Sequence, residues 1–204
     1  MRKLWLTRVL SLAALIQLFH IAPVSAVTIV DTGPGPATAG GPSLASFQWL
    51  AAEFSISQPY IITDVQGWMH NIDALGTATA AIYTDGGEIP GTELFSASFS
   101  GTPTVDWYGP SGLSWSLAAG TYWVAFEVRP GDTFYGAMPT PSGSPLANEA
   151  AVTGNSNGLY IVQDDLDMGV RIQADPVSVP EPSTLLLLAG GLAALIGFGR
   201  NRFN

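Results

Sequence analysis

The chain contains no cysteine. That excludes a disulfide framework, an iron–sulfur cluster and a thiol nucleophile, so any folded domain must stand on its apolar core. Positive charge is scarce as well, and it is unevenly placed. Of seven Lys and Arg, five lie at the ends: Arg2, Lys3, Arg8, Arg200 and Arg202. Between residues 27 and 179 only Arg129 and Arg171 stand against fifteen Asp and Glu, a net charge of −13. A segment this acidic lacks the basic footprint that phosphates require, so no nucleic-acid partner is expected. It is also repelled by anionic lipid and anionic polysaccharide unless a divalent cation bridges them. His70 is the one histidine after residue 26, there is no Cys/His ligand pattern, and no Gly-x-Ser-x-Gly elbow occurs. Structural zinc is not expected, a Ser-His-Asp triad has a single candidate base, and no cofactor is implied. As the last residue of its strand, before Asn71, His70 reads as solvated. Amphipathic helices are missing from the same stretch.

What the middle has is alternation. In residues 48–56, Leu50, Ala52, Phe54 and Ile56 share one face, and Trp49, Glu53 and Ser55 the other. Further strands are predicted at 60–69, 77–84, 93–100, 104–108, 113–117, 121–129, 132–138, 159–162 and 168–172. Turn chemistry separates them, at Asp85-Gly86-Gly87, Pro90-Gly91, Gly109-Pro110-Ser111-Gly112 and Ala119-Gly120. Short strands about ten residues apart, with no helix between them, argue for an all-β fold: an antiparallel β-sandwich, jelly-roll-like. The expected core is Leu50, Phe54, Ile82, Leu117, Tyr122, Val124, Phe126, Val170 and Ile172, because a one-residue slip would expose all of them. Residues 27–45 are rich in Gly and Pro and read as an arm ahead of a sandwich at 46–175.

The two ends carry an address. Arg2, Lys3 and Arg8 precede the apolar run 9–22, and Val24-Ser25-Ala26 supplies the small residues a signal peptidase reads, so 1–26 is a signal peptide cut after Ala26. At the other end, a linker at 176–182 contains Pro180-Glu181-Pro182. The apolar run 183–199 follows, at the lower limit of length for a membrane span. A basic tail at 200–204 closes the chain, and Arg200 and Arg202 place it in the cytoplasm.

Pro180-Glu181-Pro182, an apolar helix with the Gly190-Gly191 pair, then Phe198-Gly199 and the two arginines resemble the PEP-CTERM sorting signal of Gram-negative bacteria. The likeness covers about residues 178–204. It implies export across the inner membrane, transient anchoring, and processing by an exosortase, a membrane transpeptidase-like enzyme. It further implies delivery to the cell surface or extracellular matrix, in association with exopolysaccharide, biofilm and floc. Residues 81–94 and 116–124 are similar to β-sandwich ectodomains that precede such tails, which adds fold and not chemistry.

Other constellations point to ligands more weakly. Trp49 and Trp123 fall opposite the aliphatic residues of their strands, so they are the candidates for stacking a sugar ring in a carbohydrate-binding module. Trp68, Trp107 and Trp115 also sit on strands, and the alternative for all five is the sealing of loops and sheet edges. Asp164, Asp165 and Asp167 offer hard oxygens to calcium, but their spacing is not that of an EF-hand, and a charged turn is the simpler account. A glycoside hydrolase needs paired carboxylates. Glu53, Glu88, Glu93, Glu127 and Glu149 are available but nothing pairs them, so the chain reads as a non-enzyme. The exported protein should lack Met1–Ala26 by intact mass, and retention of that segment would contradict the leader assignment.

Overall fold

Side-chain alternation is the local rule that builds this structure, a computed structural model. It describes residues 25–177, apart from 38–39, 73–74, 143–145, 147, 155–157 and 164–165, together with Leu188 and Gly191. Thirteen strands follow in order: β1 (Val27–Asp31), β2 (Ser43–Leu44), β3 (Trp49–Ile56), β4 (Tyr60–Asn71), β5 (Gly76–Asp85), β6 (Pro90–Gly101), β7 (Asp106–Tyr108), β8 (Ser111–Leu117), β9 (Gly120–Glu127), β10 (Gly136–Ala137), β11 (Glu149–Val152), β12 (Tyr160–Val162) and β13 (Val170–Pro176). They form two antiparallel sheets. One has the order β12-β11-β3-β9-β5-β6. The other runs β1-β13-β4-β10-β2, with β7 and β8 also paired to β4. Gly109-Pro110 lets β7 and β8 share that partner: a side chain at 109 would collide with the Val65 carbonyl, and the Pro110 carbonyl accepts from the Val65 amide at 3.1 Å.

The inward residues of both sheets meet in one apolar cluster. Leu50, Phe54, Ile82, Val124 and Phe126 come from one sheet, and Ile62, Val65, Met69, Val170 and Ile172 from the other. Eight of the nine expected core residues are buried. The ninth, Tyr122, is half-buried against Phe54, with ring centroids 6.0 Å apart.

Three expectations are corrected. The stretch 27–45 is not a free arm. Val27–Asp31 pairs with β13 from Val27↔Ala174 to Asp31↔Arg171, and Val30 enters the core. Beyond it, Thr32 and Val170 exchange hydrogen bonds, and the Met138 amide donates to the Pro42 carbonyl at 3.0 Å. Glycine and proline in 32–43 mark the crossing loop, whose density of turn residues hid the short strands on either side. Next, the predicted strand at 132–138 shrinks to Gly136–Ala137. Finally, β11 was not foreseen. Its sequence Glu149-Ala-Ala-Val follows the Pro-, Ser- and Gly-rich stretch 139–145, and its pairing with β3 is a tertiary event.

The outer face of the six-stranded sheet also differs from expectation. Ala150, Ala51, Ala125 and Ala81 stand in register on neighbouring strands and form a shallow floor. Trp123 packs with that floor under Tyr83, Ile89 and Tyr160, and none of its surface is exposed. Strand β9 is therefore buried on both sides. Phe126→Ala should lower unfolding free energy by about 3–5 kcal/mol, and Trp123→Ala by a similar amount. Urea unfolding of the two variants checks this. A Trp123→Ala cost under about 1 kcal/mol, the range of surface changes, would contradict the covered face.

Candidate functional site

Both chain ends leave the fold at one pole. Tyr60 pairs with Pro176, Val27 with Ala174, and the Val177 amide donates to the Pro59 carbonyl at 3.2 Å. Ala26, the expected cleavage residue, is exposed just ahead of β1. Only two residues, Ser178 and Val179, separate Val177 from Pro180, a reach of at most about 11 Å. Whatever acts on Pro180-Glu181-Pro182 works directly beneath the folded domain. Pro180, Glu181, Pro182, Arg200 and Arg202 lie outside the described residues, as does the expected span at 183–199 except for Leu188 and Gly191, both helical. Among the described residues no helix is long and apolar enough to cross a membrane.

The densest polar cluster of the domain lies elsewhere, on the outer face of β5, β6 and β9. Glu127 is fully buried. Its carboxylate accepts from the Tyr83 hydroxyl at 2.7 Å, the Tyr160 hydroxyl at 2.6 Å and Arg129 Nε at 2.5 Å. Arg129 continues to Glu93, Nη2 to Oε2 at 2.7 Å, and its backbone amide donates to Asp132 at 3.0 Å. Burial and the neighbouring Glu127 charge push both tyrosine hydroxyls well above their ordinary value. Burial alone would lower the Arg129 guanidinium, but Glu127 and Glu93 hold it above its usual value. Burial opposes ionisation of Glu93, yet hydrogen bonds from Ser96 and Arg129 win and keep its carboxyl below the usual range. Both carboxylate oxygens of Glu127 accept from donors of this fold, Oε1 from the two tyrosines and Oε2 from Arg129. The cluster ties β12 and the exit of β9 to the sheet, and both of its carboxylates, Glu127 and Glu93, are paired with Arg129.

Residues 178–202 match the family model described as the PEP-CTERM protein-sorting motif. The chain carries a PEP-CTERM sorting signal. The match includes Pro180, Glu181, Pro182, Arg200 and Arg202, and it supports an exosortase substrate whose β-rich ectodomain lies upstream. The PEP-CTERM motif also implies export and a transient C-terminal membrane anchor. No curated protein matches the chain.

Within the β domain upstream of the motif, the ligand candidates fare differently. Trp123 is a correction: it is wholly covered and offers no ring face to a sugar. The cover, Ile89 and Tyr160, comes from segments distant in sequence, so strand alternation alone did not show it. Trp49 is half-buried, packs on the core and donates its indole N–H to the Val128 carbonyl at 2.9 Å. Trp68 and Trp107 meet edge to face at 5.4 Å, and the Arg171 guanidinium lies 4.1 Å over the Trp107 ring. Trp115 stacks on Phe95 at 5.5 Å.

His70 is a second correction. It is buried, because β10 closes against the end of β4 and Gly136 sits where any side chain would strike the His70 carbonyl. Its Nε2 has no hydrogen-bond partner, and the nearby Trp68 indole N–H has none either. Asp164 and Asp165 lie outside the described residues. Asp167 lies within them, in a left-handed backbone conformation with φ 35°, and no group of three or more potential metal ligands occurs among the described residues.

The missed feature is the Glu127 cluster. Its one sequence signal was a glutamate and an arginine two apart on the outer face of β9, which reads equally as a solvated ion pair.

Tyr83 and Tyr160 give a signed pH dependence. Their folded values lie above the unfolded value of 10.0, so the stability they contribute is complete below pH 10 and is lost as pH rises further. Thermal melts should show an alkaline fall above about pH 10. That fall should be shallower in Tyr83→Phe and Tyr160→Phe, which start lower at neutral pH. An unchanged alkaline slope in both variants would refute this role for the hydroxyls.

Proposed function

We propose that this is a non-enzymatic structural or interaction component of an extracellular matrix, exported by a Gram-negative cell and delivered through its tail. The observation that carries the reading is the sorting motif at 178–202, which begins at the residue after Val177, whose amide bonds to Pro59 of the β domain. The signal peptidase acts at Ala26 and the exosortase near Pro180-Glu181-Pro182, and the apolar run 183–199 holds the chain in the membrane meanwhile. Pro180 and Pro182 lack amide protons and disfavour helix before them, which keeps the tripeptide available in extended form to a protease. Glu181 gives the enzyme a charge to recognise between two rigid residues.

The charge of the domain sets the terms of that matrix role. It is −13 between residues 27 and 179, and Glu127, the one fully buried carboxylate among the described residues, is committed to Tyr83, Tyr160 and Arg129. Association with exopolysaccharide then depends on neutral polymer or on bridging cations. Replacing Glu181 with Ala should leave a heavier, membrane-bound form in cell fractionation. Release of that variant at the normal mass would defeat the proposal for Glu181.

A further inference from the structure

Most sheet edges of this domain are short: β12 has three residues, β2 two, β1 five and β8 seven. Strand β6 is the exception. It runs for twelve residues at the end of the six-stranded sheet, with β5 on one side and no strand among the described residues paired to the other. Long open edges are templates for another strand, and folds usually guard them with lysine, proline or bulges. In β6 such features are confined to the start, where Pro90 and the register shifts opposite Tyr83 lie. The run Phe95–Gly101 has no charge and no proline. The nearest charge, Glu93, is already neutralised by Arg129 at 2.7 Å.

This run is also a palindrome: Phe95-Ser96-Ala97-Ser98-Phe99 reads the same in both directions. We propose that β6 is a self-pairing edge, through which two copies of this chain join antiparallel across a two-fold axis at Ala97. A two-fold contact uses the same patch twice, so its strand must complement its own reverse. Centred on Ala97, Phe95 faces the second copy's Phe99, Ser96 faces Ser98, and Ala97 faces itself.

The two faces of β6 fit that arrangement. Phe95, Ala97 and Phe99 pair with Ile82, Ala80 and Ala78 and point into the sandwich. There Phe95 stacks on Trp115 and Phe99 meets Phe126 edge to face at 6.2 Å. Ser96 and Ser98 are exposed on the outer face, opposite Ala81 and Thr79. Pairing therefore places aromatic beside aromatic within a continuous core, and hydroxyl beside hydroxyl outside it; both are favourable cross-strand pairs. Glu93 falls opposite the second copy's Gly101, so no like charges meet. The acidic remainder of each copy repels the other at long range, and salt that screens this should strengthen the dimer.

The absence of cysteine makes the test specific. Ser96→Cys and Ser98→Cys chains are prepared in full length, mixed in mild detergent and oxidised. The proposal expects several-fold more covalent dimer in the mixture than in either variant alone, because residue 96 meets 98 and not itself. A mixture that cross-links no better than the single variants overturns it, whether the cause is random collision, contact through the tail or another register. Light scattering gives a second readout. The wild-type chain should be dimeric, and Ser96→Lys/Ser98→Lys, which sets lysine against lysine, should be monomeric with an unchanged near-ultraviolet spectrum. A monomeric wild type, or a lysine variant that keeps the dimer mass, also overturns it.

Discussion

The structure depends on strand β9 being buried on both faces. Inward, Val124 and Phe126 fill the space between the sheets. Outward, Trp123 and Ala125 lie beneath Tyr83, Ile89 and Tyr160. β9 is also central within its sheet, between β3 and β5. No disulfide assists, so apolar burial, to which this strand contributes from both faces, must offset the chain entropy lost on folding. The Glu127 cluster belongs to the same constraint. A carboxylate this deep is tolerated only with donors close at hand, and Tyr83, Tyr160 and Arg129 provide them.

The fold places both chain ends at one pole, and this arrangement joins structure to address. The domain is complete at Val177, and the PEP-CTERM motif begins at residue 178. The motif implies a transient C-terminal membrane anchor, and residues 27–179 upstream of it carry a net charge of −13. The two cations of residues 27–179, Arg129 and Arg171, are both engaged with carboxylates.

How far the sequence disclosed this can be traced through particular residues. Period-two alternation showed the inward faces of β3, β5, β9 and β13, because those positions are apolar whichever strands come to pair. Turn residues at Asp85-Gly86-Gly87 and Gly109-Pro110 marked real corners. The outward face of β9 was illegible for a physical reason: Trp123 and Glu127 are covered by Ile89 and Tyr160, and neither position signals that it will fold over a sheet. β1 and β11 were hidden by adjacent Gly- and Pro-rich loops, and β10 buried His70 through a two-residue contact with no pattern of its own. The sorting signal was the opposite case. It is read as a linear string by another protein, so it is legible without any fold.

Native-state hydrogen exchange on the full chain tests the central claim most directly. The account predicts that the β9 amides, Thr121 to Glu127, exchange slowest of all and only by global unfolding, with β1 amides protected against β13 rather than open. Rapid exchange across β9 through a local opening would contradict it, and the domain would then depend on some other element.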